Sequence, residues 1–214
     1  MRAKHGWMWR VAILPSRLTR LTCQNEQAMA CDYEQDAEVQ AYVETMSALF
    51  LKQEMRDARP DAEAHHRALA HTATVLRSVN VARRATLIRF LSQSGLVLLG
   101  IGTDLQTLNF AGADLSHLAL GKVKLSEAKL SQAKLMSGDL AGADLRGANL
   151  GKTDLRGADL SRAMLSCADL RGADLSGATL KEAYLGEADL RGAALRDARI
   201  TQEQVHQARP GTSG

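Results

Sequence analysis

The chain has 214 residues, with 27 Lys and Arg against 24 Asp and Glu, a formal net charge of +3. So small an excess excludes a strongly polycationic nucleic-acid binder, and no direct nucleic-acid contact is expected. Three cysteines, an odd number with no CxxC spacing, argue against a disulfide framework, and the length fits one compact helical piece plus one solenoid.

Residues 1–32 read as a basic, poorly ordered arm. Residues 1–21 carry Arg2, Lys4, Arg10, Arg17 and Arg20, no acid, and both tryptophans, Trp7 and Trp9. The functional reading of this arm is membrane contact through residues 1–21. The plainer reading is a terminal tail. Its most apolar stretch, Trp7 to Pro15, is broken by Arg10 and falls far short of the ~20 residues of a membrane span. No small-x-small cleavage site follows closely enough for a signal peptide.

Helical periodicity governs 33–95. Val39, Tyr42, Val43, Met46, Leu49 and Phe50 follow the i, i+3, i+4, i+7 pattern, predicting a helix from Tyr33 to Arg59, before Pro60. Asp61 is the expected N-cap of a second helix, with Leu69, Ala73 and Leu76 on one face. Asn80 is the expected N-cap of a third, carrying Leu87, Ile88 and Leu91 and stopping at Gly95. The apolar run Leu96 to Leu99 then leads into the second half of the chain. The three helices are expected to pack together and cover the N-terminal end of that half.

From Leu105 to Ile200 a leucine occupies every fifth position, with Phe110 and Ile200 the exceptions. Two residues earlier stands a small residue, alanine at fourteen of the twenty sites, and the residue between is Asp or Asn at eleven. A helix turns roughly 140° in five residues and would scatter these leucines around its circumference. A straight strand would alternate them between two faces, because five is odd. Only a chain that turns a corner every five residues keeps them all inside. The predicted core therefore includes Leu115, Leu130, Leu145, Leu150, Leu155, Leu160, Leu165, Leu170, Leu175, Leu180, Leu185 and Leu190. Glycine at the second corner site, as in Arg146-Gly147 or Arg156-Gly157, suits a sharp bend or positive φ. Leu108, Leu118 and Val123 in place of alanine predict an irregular first coil joined to another element, and Gly138 removes a methyl from the stack. At the far end Thr201 to Gln204 has capping-box spacing, and Ile200 and Val205 form a staple pair. A short helix from Gln202 to Ala208 should close the end, with 201–214 as cap and tail.

The variations on Ala-Asp-Leu-Arg-Gly closely resemble the pentapeptide-repeat family. The resemblance implies a mainly β fold over 96–200: a right-handed quadrilateral β-helix with a solid interior. Twenty pentapeptides make about five coils, a rod roughly 24 Å long. The segments Gln40-Ala41-Tyr42-Val43, Met46-Ser47, Thr74-Val75-Leu76-Arg77, Arg89-Phe90-Leu91 and Ser94-Gly95-Leu96-Val97 resemble the helical region that precedes the repeats in some bacterial members. Many of those members begin with transmembrane helices, which have no counterpart here.

Little chemistry stands out. No Ser–His or Cys–His constellation and no GxxxxGK[ST] loop occurs, and His65, His66 and His71 lack ligand spacing with Cys23 or Cys31. No catalytic, cofactor or metal residue is expected, and Cys167 should lie partly exposed at a corner. Residues 103–200 hold thirteen basic and thirteen acidic side chains. Lys122, Lys124, Lys129 and Lys134 crowd one coil as a basic belt, while Asp154, Asp159 and Asp174 belong to a mildly acidic body. These seven are the candidate interaction surface. The expected function is a non-enzymatic, cytoplasmic scaffold that binds a protein partner by its outer faces. The first alternative is imitation of DNA phosphates toward a topoisomerase such as gyrase, which resemblance to topoisomerase-targeting family members suggests. The second is peripheral membrane association. Identity of the partner and oligomeric state are not legible in the sequence.

Overall fold

A computed structural model describes residues 34–48, 63–100 and 104–208. Three helices come first: α1 over 34–48, α2 (Glu63–Ser78) and α3 (Val81–Gln93). A 3-10 turn (Leu96–Leu99) leads to a ladder of β-bridges from Asp104 to Arg199, and α4 (Gln202–Gln207) closes the described chain. The arm 1–32, the expected continuation of the first helix with Leu49 and Phe50, and the expected cap Asp61 lie outside the described residues.

The helices join through polar contacts set into an apolar core. Tyr42 and Met46 of α1 are fully buried, and the Tyr42 hydroxyl meets Thr72 Oγ1 at 2.7 Å. Burial pushes the Tyr42 phenol up to about 12. The buried face of α2 is Ala68, Thr72, Val75 and Leu76, so it is rotated from the expected one, and Leu69 and Ala73 are only half-buried. The rotation is tolerable because Thr72 also donates to Ala68 O at 2.7 Å, leaving no unpaired hydroxyl in the core. Asn80 caps α3 by accepting from the Arg83 N–H, and Gly95 takes a left-handed conformation just past its end (φ 75°).

Every bridge in the ladder is parallel and joins residues 20 apart, such as Asp104 with Lys124 and Thr179 with Arg199. Twenty residues are four pentapeptides, so the chain turns four corners before stacking on itself: a four-sided β-helix. Each pentapeptide repeats one hydrogen-bond set. Leu125 N–H donates to Asp144 O (2.7 Å), Glu127 N–H to Arg146 O (2.9 Å) and Asp144 N–H to Val123 O (2.9 Å), while Ala128 N–H closes the corner onto Leu125 O (3.1 Å). The second corner residue has positive φ at every turn from Thr107 to Asp197, whether or not it is glycine. Glycine occupies it at sites such as Gly147 and Gly157; elsewhere side chains such as Gln132 (φ 59°) and Cys167 (φ 60°) hold the same conformation. The hydrogen-bond ladder thus imposes a left-handed corner that costs a side chain about 1–2 kcal/mol.

Inside, the leucine and alanine columns fill the tower. Leu115, Leu130, Leu145, Leu150, Leu155, Leu160, Leu165, Leu170, Leu175, Leu180 and Leu185 are at most 2% exposed. Leu190 is only half-buried, because the ladder ends at Arg199 and no bridged turn lies over it. Thr153 stands in an alanine column and directs its hydroxyl to Leu130 O at 2.7 Å. The expectation of an irregular first coil fails: Asp104, Asn109, Asp114 and Ala119 bridge as regularly as any others. Gly138 stands over the large Leu118, one bridge step on in the same column. A Cβ at Gly138 would meet Leu135 O at 3.1 Å and Leu118 O at 3.6 Å.

Both ends of the ladder are covered by side chains that replace a missing rung. At the near end, Arg84 Nη1 donates to Asn109 O, Arg89 Nη2 to Asp114 O (2.8 Å), and Ser92 Oγ accepts from Ala119 N–H (2.9 Å). These three backbone groups belong to three successive sides of the first coil. At the far end Thr201 and Gln204 form the expected capping box, but Val205 stays 41% exposed. The lid is anchored by Gln204, whose Nε2 donates to Leu180 O (2.7 Å) and Ala183 O (2.9 Å), and by the Glu187 N–H bond to Gln207 O (3.0 Å). An open pairing edge is thereby closed with a helix.

Candidate interaction surfaces

The bridges sort the outward residues into four columns. Face 1 carries Asp104, Lys124, Asp144, Met164 and Tyr184; face 2 carries Asn109, Lys129, Asn149, Asp169 and Asp189. Face 3 carries Asp114, Lys134, Asp154, Asp174 and Ala194, and face 4 carries Ala119, Asp139, Asp159, Thr179 and Arg199.

The outward Asp or Asn is first a structural device. Wherever one stands, its Oδ1 lies within reach of the backbone N–H two residues on: Asn109 to Ala111 (3.0 Å), Asp139 to Ala141 (2.9 Å), Asp159 to Ser161 (2.9 Å). The side chain caps the corner as in an Asx-turn. Where arginine is the first corner residue after an outward Asp, it closes a fork on the same carboxylate: Arg146 on Asp144, Arg156 on Asp154, Arg171 on Asp169 and Arg191 on Asp189, each with two nitrogens. The arginine hydrogen bonds hold Asp144, Asp154 and Asp169 below the ordinary carboxylate range and bring Asp189 to about 2. Hydrogen bonds from Ser116 and Ser176 lower Asp114 and Asp174 in the same direction.

The seven candidate surface residues do not converge. Lys122 sits at the corner between faces 4 and 1, Lys124 on face 1, Lys129 on face 2 and Lys134 on face 3, so they ring one coil. Lys124 bridges Asp104 and Asp144, and Lys134 bridges Asp114 and Asp154, so two of these lysines lie between carboxylates above and below. Asp154 and Asp174 are stacked on face 3 and share Arg156, at 2.7 and 3.8 Å. Asp159 stands on face 4 above Asp139. Cys167 is exposed at its corner. Among the described residues no cluster of His, Cys, Asp or Glu could hold a metal ion, and no helix is long and apolar enough to cross a membrane. A groove of about 500 Å³ lies where α2 meets the first coil, between Leu69, Ala73 and Leu76 on one side and Asp104 and Lys124 on the other.

Sequence reasoning misses the joint residues Arg84, Arg89 and Ser92. Arg84 is 8% exposed and donates to Leu76 O (2.7 Å) and Val79 O (2.9 Å) as well as Asn109 O, with its guanidinium carbon 5.8 Å from the Phe110 ring centre. Desolvation lowers its pKa. A signal does exist: Arg84 and Arg89 are five residues apart and meet Asn109 and Asp114, also five apart, so the repeat spacing extends into α3.

Known proteins match this chain along its repeats. The family model for pentapeptide repeats matches residues 139–177 and 173–202, with 8 copies. A pentapeptide repeat protein of the Arabidopsis thaliana thylakoid lumen is 31% identical, over 52% of this chain and 81% of that one, with a TM-score of 0.41. The pentapeptide repeat protein Rfr23 of the cyanobacterium Cyanothece 51142 is 25% identical, over 54% of this chain and 97% of that one, with a TM-score of 0.41. The plasmid-mediated fluoroquinolone resistance protein QnrB1 is 18% identical, over 48% of this chain and 60% of that one, with a TM-score of 0.27. No curated protein matches the chain. Periodicity, ladder and comparison agree, and the chain belongs to the pentapeptide-repeat family.

Proposed function

We propose that this protein is a non-enzymatic, cytoplasmic scaffold that binds a protein partner through the outer faces of a right-handed β-helix of about five coils. Residues 96–200 would form the binding solenoid, 33–95 its helical cap, 201–214 its far lid and 1–32 an arm. The observation that carries the reading is the allocation of side chains. The tower interior is occupied by leucine and alanine at 0–6% exposure over most of its length, which directs recognition to the outer faces. The outward Asp and Asn are engaged at the corners, so the faces differ chiefly at the outward positions that carry other residues, such as Lys124, Lys129, Lys134, Thr179 and Tyr184.

The same forks weigh against imitation of a DNA backbone. A mimic needs a continuous field of one sign, whereas Asp144, Asp154, Asp169 and Asp189 each carry a bound arginine. Affinity capture from the host with the full chain as bait tests the scaffold reading, using four variants that each exchange the outward residues of one face. The expected result is a partner retained by the parent and lost with one face. A capture profile unchanged by all four variants overturns the proposal.

A further inference from the structure

The two ends of the tower are finished differently. At the near end Arg84, Arg89 and Ser92 take up backbone groups on three sides, and Leu105, Phe110, Ala113, Leu115 and Leu118 are buried. At the far end α4 reaches one side. Gln204 bonds Leu180 O and Ala183 O, and Gln207 O accepts from Glu187 N–H, so the lid runs over face 1 from one corner to the next. In the coil below, Leu175 N–H donates to Ala194 O (2.8 Å) and Ala173 O accepts from Ala194 N–H (2.9 Å). The corresponding N–H groups of Leu190, Leu195 and Ile200, and the carbonyls of Ala193 and Ala198, have no such partner among the described residues. Beneath them the inward side chains Leu190, Ala193, Leu195, Ala198 and Ile200 are only partly buried.

An unpaired strand edge over a partly exposed apolar floor is a template for another strand, and folded chains ordinarily cover it. This chain covers its near edge with three side chains and leaves the far one open from the end of face 2 through face 4. The donors and acceptors there keep the spacing of the ladder, which fits an extended backbone. A second copy fits poorly. Its identical end carries its own α4 over face 1, a helix about 10 Å across, where stacked strands leave only about 4.8 Å. We propose that the edge from Leu190 to Ile200 is a strand-addition site for an extended partner segment of about ten residues. The segment pairs by its backbone, turns apolar side chains in over Leu195 and Ile200, and bends with the coil. Glycine or asparagine suits the place where it passes over Asp197, whose own φ is 57°. The site lies on the end of the tower and is independent of the outer faces on which the scaffold reading rests.

The test begins with selection of phage-displayed random linear peptides on the full chain. Amide hydrogen exchange, read by NMR, then locates the enriched peptides, and single N-methyl groups along each peptide probe its backbone. Leu195→Pro removes an N–H that has no partner inside the tower, and proline is tolerated on edge strands, with the melting temperature as the check on folding. The expected outcome is exchange slowed about tenfold or more at Leu195 and Ile200 when peptide is added. Affinity should fall about tenfold or more in Leu195→Pro and when an edge-facing peptide nitrogen is methylated. The N-methyl scan keeps the test decisive if the proline variant does not fold. No enrichment over an unrelated protein overturns the proposal, as do peptides that leave both amides unprotected or that tolerate N-methylation at every position. Slow exchange at these amides in the free chain overturns it too. Dependence on protein concentration would then assign the edge to a second copy, and independence would assign it to the chain itself. Each of these outcomes leaves the scaffold reading to its own face variants.

Discussion

Replacing Arg84 by methionine removes one guanidinium and leaves three carbonyls facing an apolar side chain. Two of them, Leu76 O and Val79 O, lie at the C-terminal end of α2, where backbone carbonyls lack helical partners and the helix dipole is negative. The third, Asn109 O, is on the open edge of the first coil. A hydrogen bond to a charged group contributes about 1.5–3 kcal/mol, and Arg84 as a residue is buried, so solvent screens these bonds less than surface ones. Recovering the desolvation of the charge offsets part of the loss, and the net is about 3–5 kcal/mol, the range for breaking a buried charged contact from one side. For a chain of this size that is a fall in Tm of about 10 °C. Lysine should rescue only a fraction, because one ammonium cannot span the fork. Thermal unfolding monitored by circular dichroism checks the magnitude, and hydrogen exchange at Leu105 to Leu120 checks the location. A methionine variant that melts within about 2 °C of the parent, with unchanged protection in the first coil, would refute the reasoning.

The corners and the acids supply further tests. Gln132→Gly relieves a left-handed side chain and should stabilise by up to ~1 kcal/mol, whereas Gly157→Ala should destabilise by about as much, because it puts a Cβ on a residue with φ 65°; denaturant midpoints decide both. The carboxyls of Asp144, Asp154, Asp169 and Asp174 are lowered from 3.8, and that of Asp189 to about 2, so their stabilisation is present above about pH 4 and is lost as pH falls toward 2. Urea midpoints should therefore be level from about pH 5 to 7 and decline in acid, and Arg191→Gln should lower the neutral-pH midpoint and make the acid decline shallower, because Asp189 then titrates nearer its unfolded value.

The tower is legible because one period serves every link from sequence to packing. Five-residue spacing fixes the corner, the corner fixes which side chains turn inward, and bridges 20 residues apart stack like on like. The helical region is less legible. The pattern misplaces the face of α2 because Thr72 is polar by type and buried by partnership, and hydrophobicity alone cannot anticipate the Tyr42 hydroxyl that accompanies it. The regularity of the first coil escapes because bulk at Leu108, Leu118 and Val123 is weighed by itself, whereas the backbone bonds to the next coil, twenty residues on, set the register. Arg84 escapes for a similar reason. A lone arginine on a helix ordinarily faces water, and only the open edge of the coil gives it three carbonyls. On the surface, the lysine belt reflects density along the chain, while the bridges set two of its members between carboxylates.

The inward assignment of the leucines underlies every statement about the faces, and one comparison tests it directly. Calorimetric melting of Leu170→Asp should show a loss of several kcal/mol, because Leu170 is fully buried and the new carboxylate would have no partner. Ser176→Asp, at a half-exposed corner, loses only a surface hydrogen bond to Asp174 and should cost about 1 kcal/mol, a far smaller fall in melting temperature. Equal losses at the two sites, or a tolerant Leu170, would contradict the account.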